Sequence, residues 1–124
     1  MNHSPGFLKL VAEARTRVRE ISVDQTRAWL KQNPKIVLLD VREDSEWNAG
    51  HAVEAVHLGK GLLERDLEKM FPDVNTEIIM YCGGGYRSVL TCDTAQKMGY
   101  RSIHSLSGGY KAMKQAGWLT KVSV

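Results

Sequence analysis

The stretch Glu77-Ile78-Ile79-Met80-Tyr81-Cys82-Gly83-Gly84-Gly85-Tyr86-Arg87-Ser88 decides how this chain folds. Its first half is apolar and rich in strand formers, which predicts a buried strand. Three consecutive glycines then end regular structure. Residues 88–98 suit a helix, and Gly99 stands where a C-terminal cap belongs. A cysteine is thus expected at a strand end, before a tight loop that feeds a helix N-terminus. Unpaired backbone N–H groups and the positive end of the helix dipole converge on such a position. Glycines let the loop curl into an anion-binding nest, and Arg87 adds a charge with a forked donor array.

A free thiol is only about 3% ionised at pH 7. Surroundings of this kind favour the thiolate, so Cys82 reads as a nucleophile. The plainer alternative is an inert, buried strand-end cysteine followed by an ordinary glycine turn. The coincidence of cysteine, glycines, arginine and helix start weighs against it.

Working outward, Ile36-Val37-Leu38-Leu39 is a continuous apolar run, as in a central parallel strand buried on both faces. It leads into Asp40-Val41-Arg42. Ala55 to Leu58 and Ser102 to Leu106 predict two more strands. Between them lie helical patterns: 43–49 closed by Gly50, a segment carrying Leu63, Leu67, Met70 and Phe71 before Pro72, and a last helix from the Ser107-Gly108-Gly109 turn to about Ala116. Upstream, Ser22-Val23-Asp24-Gln25 is a capping box opening a helix that must stop by Asn33, because Pro34 follows. Phe7, Val11, Ala14 and Val18 recur at helical spacing and predict an amphipathic helix over residues 5–19. The alternation predicts an α/β fold with a mainly parallel central sheet flanked by helices on both faces. Residues 1–20 read as an N-terminal helical extension and 21–124 as the domain. Ligands on such sheets sit beyond the carboxyl ends of the strands, where Cys82 and Asp40 to Arg42 fall.

The chain has 124 residues, a length that fits one small domain, and its net charge is +3. From Tyr86 onward there are six Lys or Arg and one acid, which favours a small anion as ligand. The basic residues are scattered and no nucleic-acid motif is present, so no nucleic-acid partner is expected. No apolar run approaches a membrane span and residues 1–9 lack a secretory pattern; no membrane partner is expected. Two cysteines make no disulfide framework, and cytoplasmic residence is the simplest reading. His3, His51, His57 and His104 show no ligand spacing, so neither a metal site nor a cofactor is expected. His51 reads as a structural hydrogen-bonding residue. Cys92 reads as a small buried side chain within its helix, and a role as partner thiol to Cys82 is geometrically awkward. Asp40, Arg42 and Glu46 could form an ion-pair network behind the site. Two nucleotide motifs fail: no Lys-Ser/Thr follows the glycines, and Ser88 stands where a dinucleotide fingerprint needs its third glycine.

These residues resemble the rhodanese family of sulfurtransferases. Leu39-Asp40-Val41-Arg42-Glu43 with Glu46-Trp47 and Gly50-His51 is similar to the family's first signature. Cys82-Gly83-Gly84-Gly85-Tyr86-Arg87-Ser88 fits its active loop, C-x-x-G-x-R-S. Leu106-Ser107-Gly108-Gly109-Tyr110 with Ala112 resembles its closing signature, with Met113 where Trp is usual, and Val53 and Glu54 replace the usual Pro and Gly after His51. The resemblance spans residues 21 to about 118. It implies that Cys82 takes a sulfane sulfur from a small anionic donor such as thiosulfate and passes it, as a persulfide, to a thiol or protein acceptor. It also implies that Gly83, Gly84, Gly85, Tyr86, Arg87 and Ser88 bind substrate; Asp40 and Arg42 are expected in the shell behind them, and a monomer is expected. Cysteine phosphatases place five residues between Cys and Arg; here Gly83 to Tyr86 make four, which favours sulfur. A non-catalytic interaction module is the remaining alternative, though such modules often lose the cysteine.

Overall fold

The computed structural model describes residues 3–123, beginning with helix α1 (Pro5–Arg15). Then come β1 (Arg19–Ile21), α2 (Val23–Gln32), β2 (Val37–Asp40), α3 (Asp44–Ala49), β3 (His51–Ala52), β4 (Val56–His57), α4 (Lys60–Met70), β5 (Ile78–Tyr81), α5 (Arg87–Lys97), β6 (Ile103–Leu106), α6 (Gly109–Gln115) and β7 (Thr120–Lys121). Five strands form one sheet in the order β1-β6-β5-β2-β4, every pairing parallel. Alternate residues of the strands feed two cores. Leu39, Ile78, Met80 and Ile103 pack with Val11 and Ala14 of α1, Leu63 and Leu67 of α4, and Val89, Cys92 and Ala95 of α5. Leu38, Ile79, Tyr81 and Leu106 pack on the other face with Trp29 and Leu30 of α2, Met113 of α6 and Trp118. The sheet with helices on both faces is the expected α/β architecture.

The local signals act where they were read. Ser22 Oγ accepts from the Gln25 N–H at 3.0 Å and opens α2. Gly99 has φ of 108°, its N–H donates to Gln96 O, and the Tyr100 N–H donates to Ala95 O, which is a Schellman closure of α5. Some expectations need correction, and one small sheet was not expected. The helix predicted over 5–19 ends at Arg15; the chain turns, and Arg19–Ile21 pairs with His104 to Leu106 as an edge strand. The open edge of β6 supplies a ladder that the helical spacing of Val18 does not reveal. The strand predicted from Ala55 to Leu58 shortens to Val56–His57, and Met70 is 39% exposed, off the buried stripe of α4. Finally, β3 and β7 pair antiparallel in a separate two-stranded sheet, His51 with Lys121 and Ala52 with Thr120. Two-residue strands carry too few positions for an alternation to register.

Candidate active site

β5 lies between β2 and β6, so the loop after Tyr81 emerges at the middle of the sheet's carboxyl edge. Cys82 is 1% exposed, and its Sγ accepts the Gly85 N–H at 3.2 Å and the Ser88 N–H at 3.3 Å. The Ser88 hydroxyl stands 3.5 Å from the same sulfur and 2.8 Å from Ser105 Oγ on β6. One backbone donor from the glycine loop and one from the first turn of α5 therefore meet the sulfur. Ser105 extends that polar chain into the sheet. Sequence reasoning missed it, because Ser105 sits within an ordinary strand pattern.

The loop is also held from behind. The Tyr110 N–H donates to Cys82 O at 2.7 Å and the Lys111 N–H to Gly83 O at 3.1 Å, so the start of α6 grips the loop carbonyls. This approach requires Gly109: its φ is 59°, and a Cβ there would lie 2.5 Å from Cys82 O and 2.8 Å from Gly83 O. Gly108 and Gly109, read in the sequence as a turn and as part of the closing signature, are the seat on which the loop rests.

Arg87 opens α5 and reaches across to α3. Its Nη1 and Nη2 donate to Glu46 Oε1 and Oε2 at 2.7 and 2.9 Å, a two-pronged pair, and Glu46 Oε1 also accepts the Glu43 N–H at 3.2 Å. Glu46 raises the Arg87 pKa, and Arg87 in turn holds the Glu46 carboxyl below its ordinary range. An arginine carries five N–H donors, and this pair takes two of them, so the guanidinium is fixed in orientation without being used up. The expected network of Asp40, Arg42 and Glu46 splits in two. Glu46 belongs to Arg87. Asp40 pairs with Arg42 at 2.7 Å in the buried interior, and Arg42 also donates to Gly50 O at 2.6 Å. Asp40 and Arg42 thus hold the turn after α3 and make no hydrogen bond to the cysteine loop. His51 takes its structural place, with Nδ1 2.8 Å from Trp47 O and its ring stacked on Trp47. Cys92 is fully buried inside α5, and burial pushes its thiol well above the usual range.

A cleft of about 660 Å³ opens over the loop. Cys82, Gly83 and Gly84 line it together with the Arg87–Glu46 pair and Lys111. Tyr86 also lines it, with His3 and Phe7 from the N-terminal segment, a contribution that the sequence reading left outside the site. Among the described residues no group of His, Cys, Asp or Glu is arranged to hold a metal ion, and no helix is long and apolar enough to cross a membrane.

A cysteine at the carboxyl edge of a parallel sheet, with two main-chain N–H groups donating to its sulfur, defines an α/β protein with a thiol at the position where such sheets place their ligands. More narrowly, residues 22–116 match the rhodanese-like domain, and the chain belongs to that family. It is 30% identical over 98 residues to the thiosulfate sulfurtransferase GlpE of Tolumonas auensis, covering 79% of this chain and 85% of that protein. The GlpE of Coxiella burnetii is 28% identical over 93 residues, 74% and 85% of the two chains. Among solved structures, the polysulfide-sulfur transferase homodimer of Wolinella succinogenes superposes with a TM-score of 0.80 at 26% identity, over 94% of this chain and 88% of that one. RPA3614 of Rhodopseudomonas palustris, described as a protein of unknown function and a suggested tyrosine phosphatase, shares the fold with a TM-score of 0.85 at 24% identity, over 98% of both chains. The family and the two GlpE relatives support sulfurtransferase activity in general.

Proposed function

We propose that this protein is a cytoplasmic sulfurtransferase that carries sulfur as a Cys82 persulfide, taking it from thiosulfate or a persulfide donor and passing it to a thiol or protein acceptor. The observation that carries this reading is the convergence of the Gly85 and Ser88 N–H groups on Cys82 Sγ. Those donors would hold a persulfide anion once sulfur is loaded. The thiolate attacks the outer sulfur of thiosulfate; a new S–S bond forms, the old one breaks, and sulfite leaves with the bonding pair. Loop N–H groups from Gly83 to Arg87 receive the transferred sulfur, and the donors of Arg87 not engaged by Glu46 hold the sulfite oxygens. The acceptor thiolate then attacks the outer sulfur, and Cys82 is regenerated. Two half-reactions through one covalent intermediate give ping-pong kinetics.

A phosphatase reading shares the cysteine and arginine. Four residues between Cys82 and Arg87 make a smaller nest than the five of cysteine phosphatases, and this favours sulfur. Intact mass spectrometry after thiosulfate treatment tests the proposal. One added sulfur is expected on the wild type and on Cys92→Ala, and none on Cys82→Ser. Sulfur retained on Cys82→Ser overturns the assignment, and aryl phosphate turnover as fast as sulfur transfer overturns the class.

A further inference from the structure

Three of the residues that line the cleft, His3, Phe7 and Tyr86, carry rings that meet one another. The His3 ring meets the Tyr86 ring edge-on with centroids 4.4 Å apart, Phe7 meets it at 6.3 Å, and the Arg15 guanidinium lies 5.1 Å from its centroid. Three side chains from residues 3–15 therefore fix the one large side chain of the cysteine loop. His3 and Phe7 themselves line the cleft, and both lie outside the stretch that matches the family domain. The charge on the walls is small. Arg87 is matched by Glu46 and leaves Lys111, which is exposed, as the unpaired cationic side chain among the lining residues. A site for bare thiosulfate, a compact dianion, has no use for three rings and would profit from an unmatched guanidinium. A monoanion with an apolar body suits both halves: its charge faces the N–H nest and its body covers the rings.

Resting on the sulfurtransferase reading, we infer that Phe7 and His3, with Tyr86, are specificity-determining residues that select an organic sulfane-sulfur donor, R–SO2–S⁻ or R–S–S⁻, over thiosulfate. For the thiosulfonate, the Cys82 thiolate bonds to the terminal sulfur as the S–S bond to R–SO2 breaks. The sulfinate R–SO2⁻ leaves with the electron pair and Cys82 carries –S–S⁻, with no oxidant required. R rests against the Phe7 and Tyr86 rings throughout.

The test compares kcat/KM for methanethiosulfonate and benzenethiosulfonate in the wild type, Phe7→Leu and Phe7→Ala. Taking the aryl-to-methyl ratio within each protein and comparing it across proteins removes the donors' intrinsic reactivity. The ratio is expected to fall at least about fivefold in Phe7→Ala, the effect of uncovering a few tens of Å² of apolar surface, with Phe7→Leu between. An unchanged ratio overturns the inference, including the case where both rates fall together because Phe7 only props up α1. A second measurement needs no variant: benzenesulfonate should inhibit the wild-type thiosulfate step at least about fivefold more strongly than methanesulfonate, and equal inhibition overturns the inference. Failure of every donor to load Cys82 overturns the sulfurtransferase reading itself, whereas loading by thiosulfate with no aryl preference overturns the ring wall alone.

Discussion

At the scale of single residues, two main-chain donors meet one sulfur, and Arg87 opens the helix beside them with its guanidinium held by Glu46. Arg87→Lys keeps the charge but loses both the fork to Glu46 and the directed N–H groups beyond it. Losing one charge-assisted hydrogen bond costs roughly 1.5–3 kcal/mol, so the donor half-reaction should slow about 10- to 150-fold. Transfer from the loaded enzyme to a neutral thiol should suffer less; equal losses in both half-reactions would make Arg87 a pin of the loop and no donor ligand. Glu46→Gln probes the same pair from the other side. With Arg87 no longer neutralised, KM for dianionic thiosulfate should fall about threefold or more, while kcat falls as the guanidinium loses its orientation. A rise in KM would show that orientation outweighs charge. Cys82, the glycines, Arg87 and Ser88 were legible in sequence because they are contiguous. Glu46 as the partner of Arg87 was not: it lies 41 residues away, and only the folded sheet brings α3 beside the start of α5. Ser105 escaped for the same reason.

At the scale of elements, the active loop depends on a helix that comes after it in the chain. Gly109→Ala should strain a left-handed backbone and drive a Cβ into the carbonyls of Cys82 and Gly83, costing roughly 2–4 kcal/mol and sulfur transfer with it. Gly117→Ala is the matched control. Its φ is 75°, but nothing lies within 4 Å of the added Cβ, so it should cost about 1 kcal/mol of stability and leave transfer intact. Equal effects from the two would mean that conformation, and not the contact with the loop, is what Gly109 supplies. Helices with caps and the apolar core strands were readable because their signals are local. β1, β3 and β7 were not, since each owes its existence to a partner strand: β1 to the free edge of β6, and β3 and β7 to one another.

At the scale of the whole molecule, folding is tied to pH through one buried histidine and two paired carboxylates. His104, 5% exposed on β6, faces Glu77 and Arg19 and meets the Trp29 ring edge-on. Burial, with the charge of Arg19, lowers its pKa below the ordinary 6.5, and Glu77 only partly opposes this. The unfolded chain then binds the proton more readily than the folded one, so stability is full above about pH 6.5 and declines as pH falls towards the folded value. A second decline follows below about pH 4. There Asp93, held low chiefly by Arg17, and Glu46, held low by Arg87, become protonated and lose their partners. Thermal midpoints measured from pH 8 to pH 3 should show both steps. His104→Gln should flatten the first, and Asp93→Asn the second in part; a His104→Gln profile that still falls between pH 6.5 and 5 would place the first step elsewhere.

The two N–H groups that meet Cys82 Sγ have a spectroscopic consequence. An amide proton that donates to sulfur shifts when that sulfur's charge moves one atom further out. In a ¹H–¹⁵N spectrum the Gly85 and Ser88 cross-peaks should therefore move as sulfur is loaded, while Tyr110, bonded to the carbonyl of the same residue, should stay nearly still. The fold thus carries its own pair of reporters with an internal reference, able to follow the occupancy of the cysteine in real time without a label at the site; movement of all three together would mean that the loop shifts as a body.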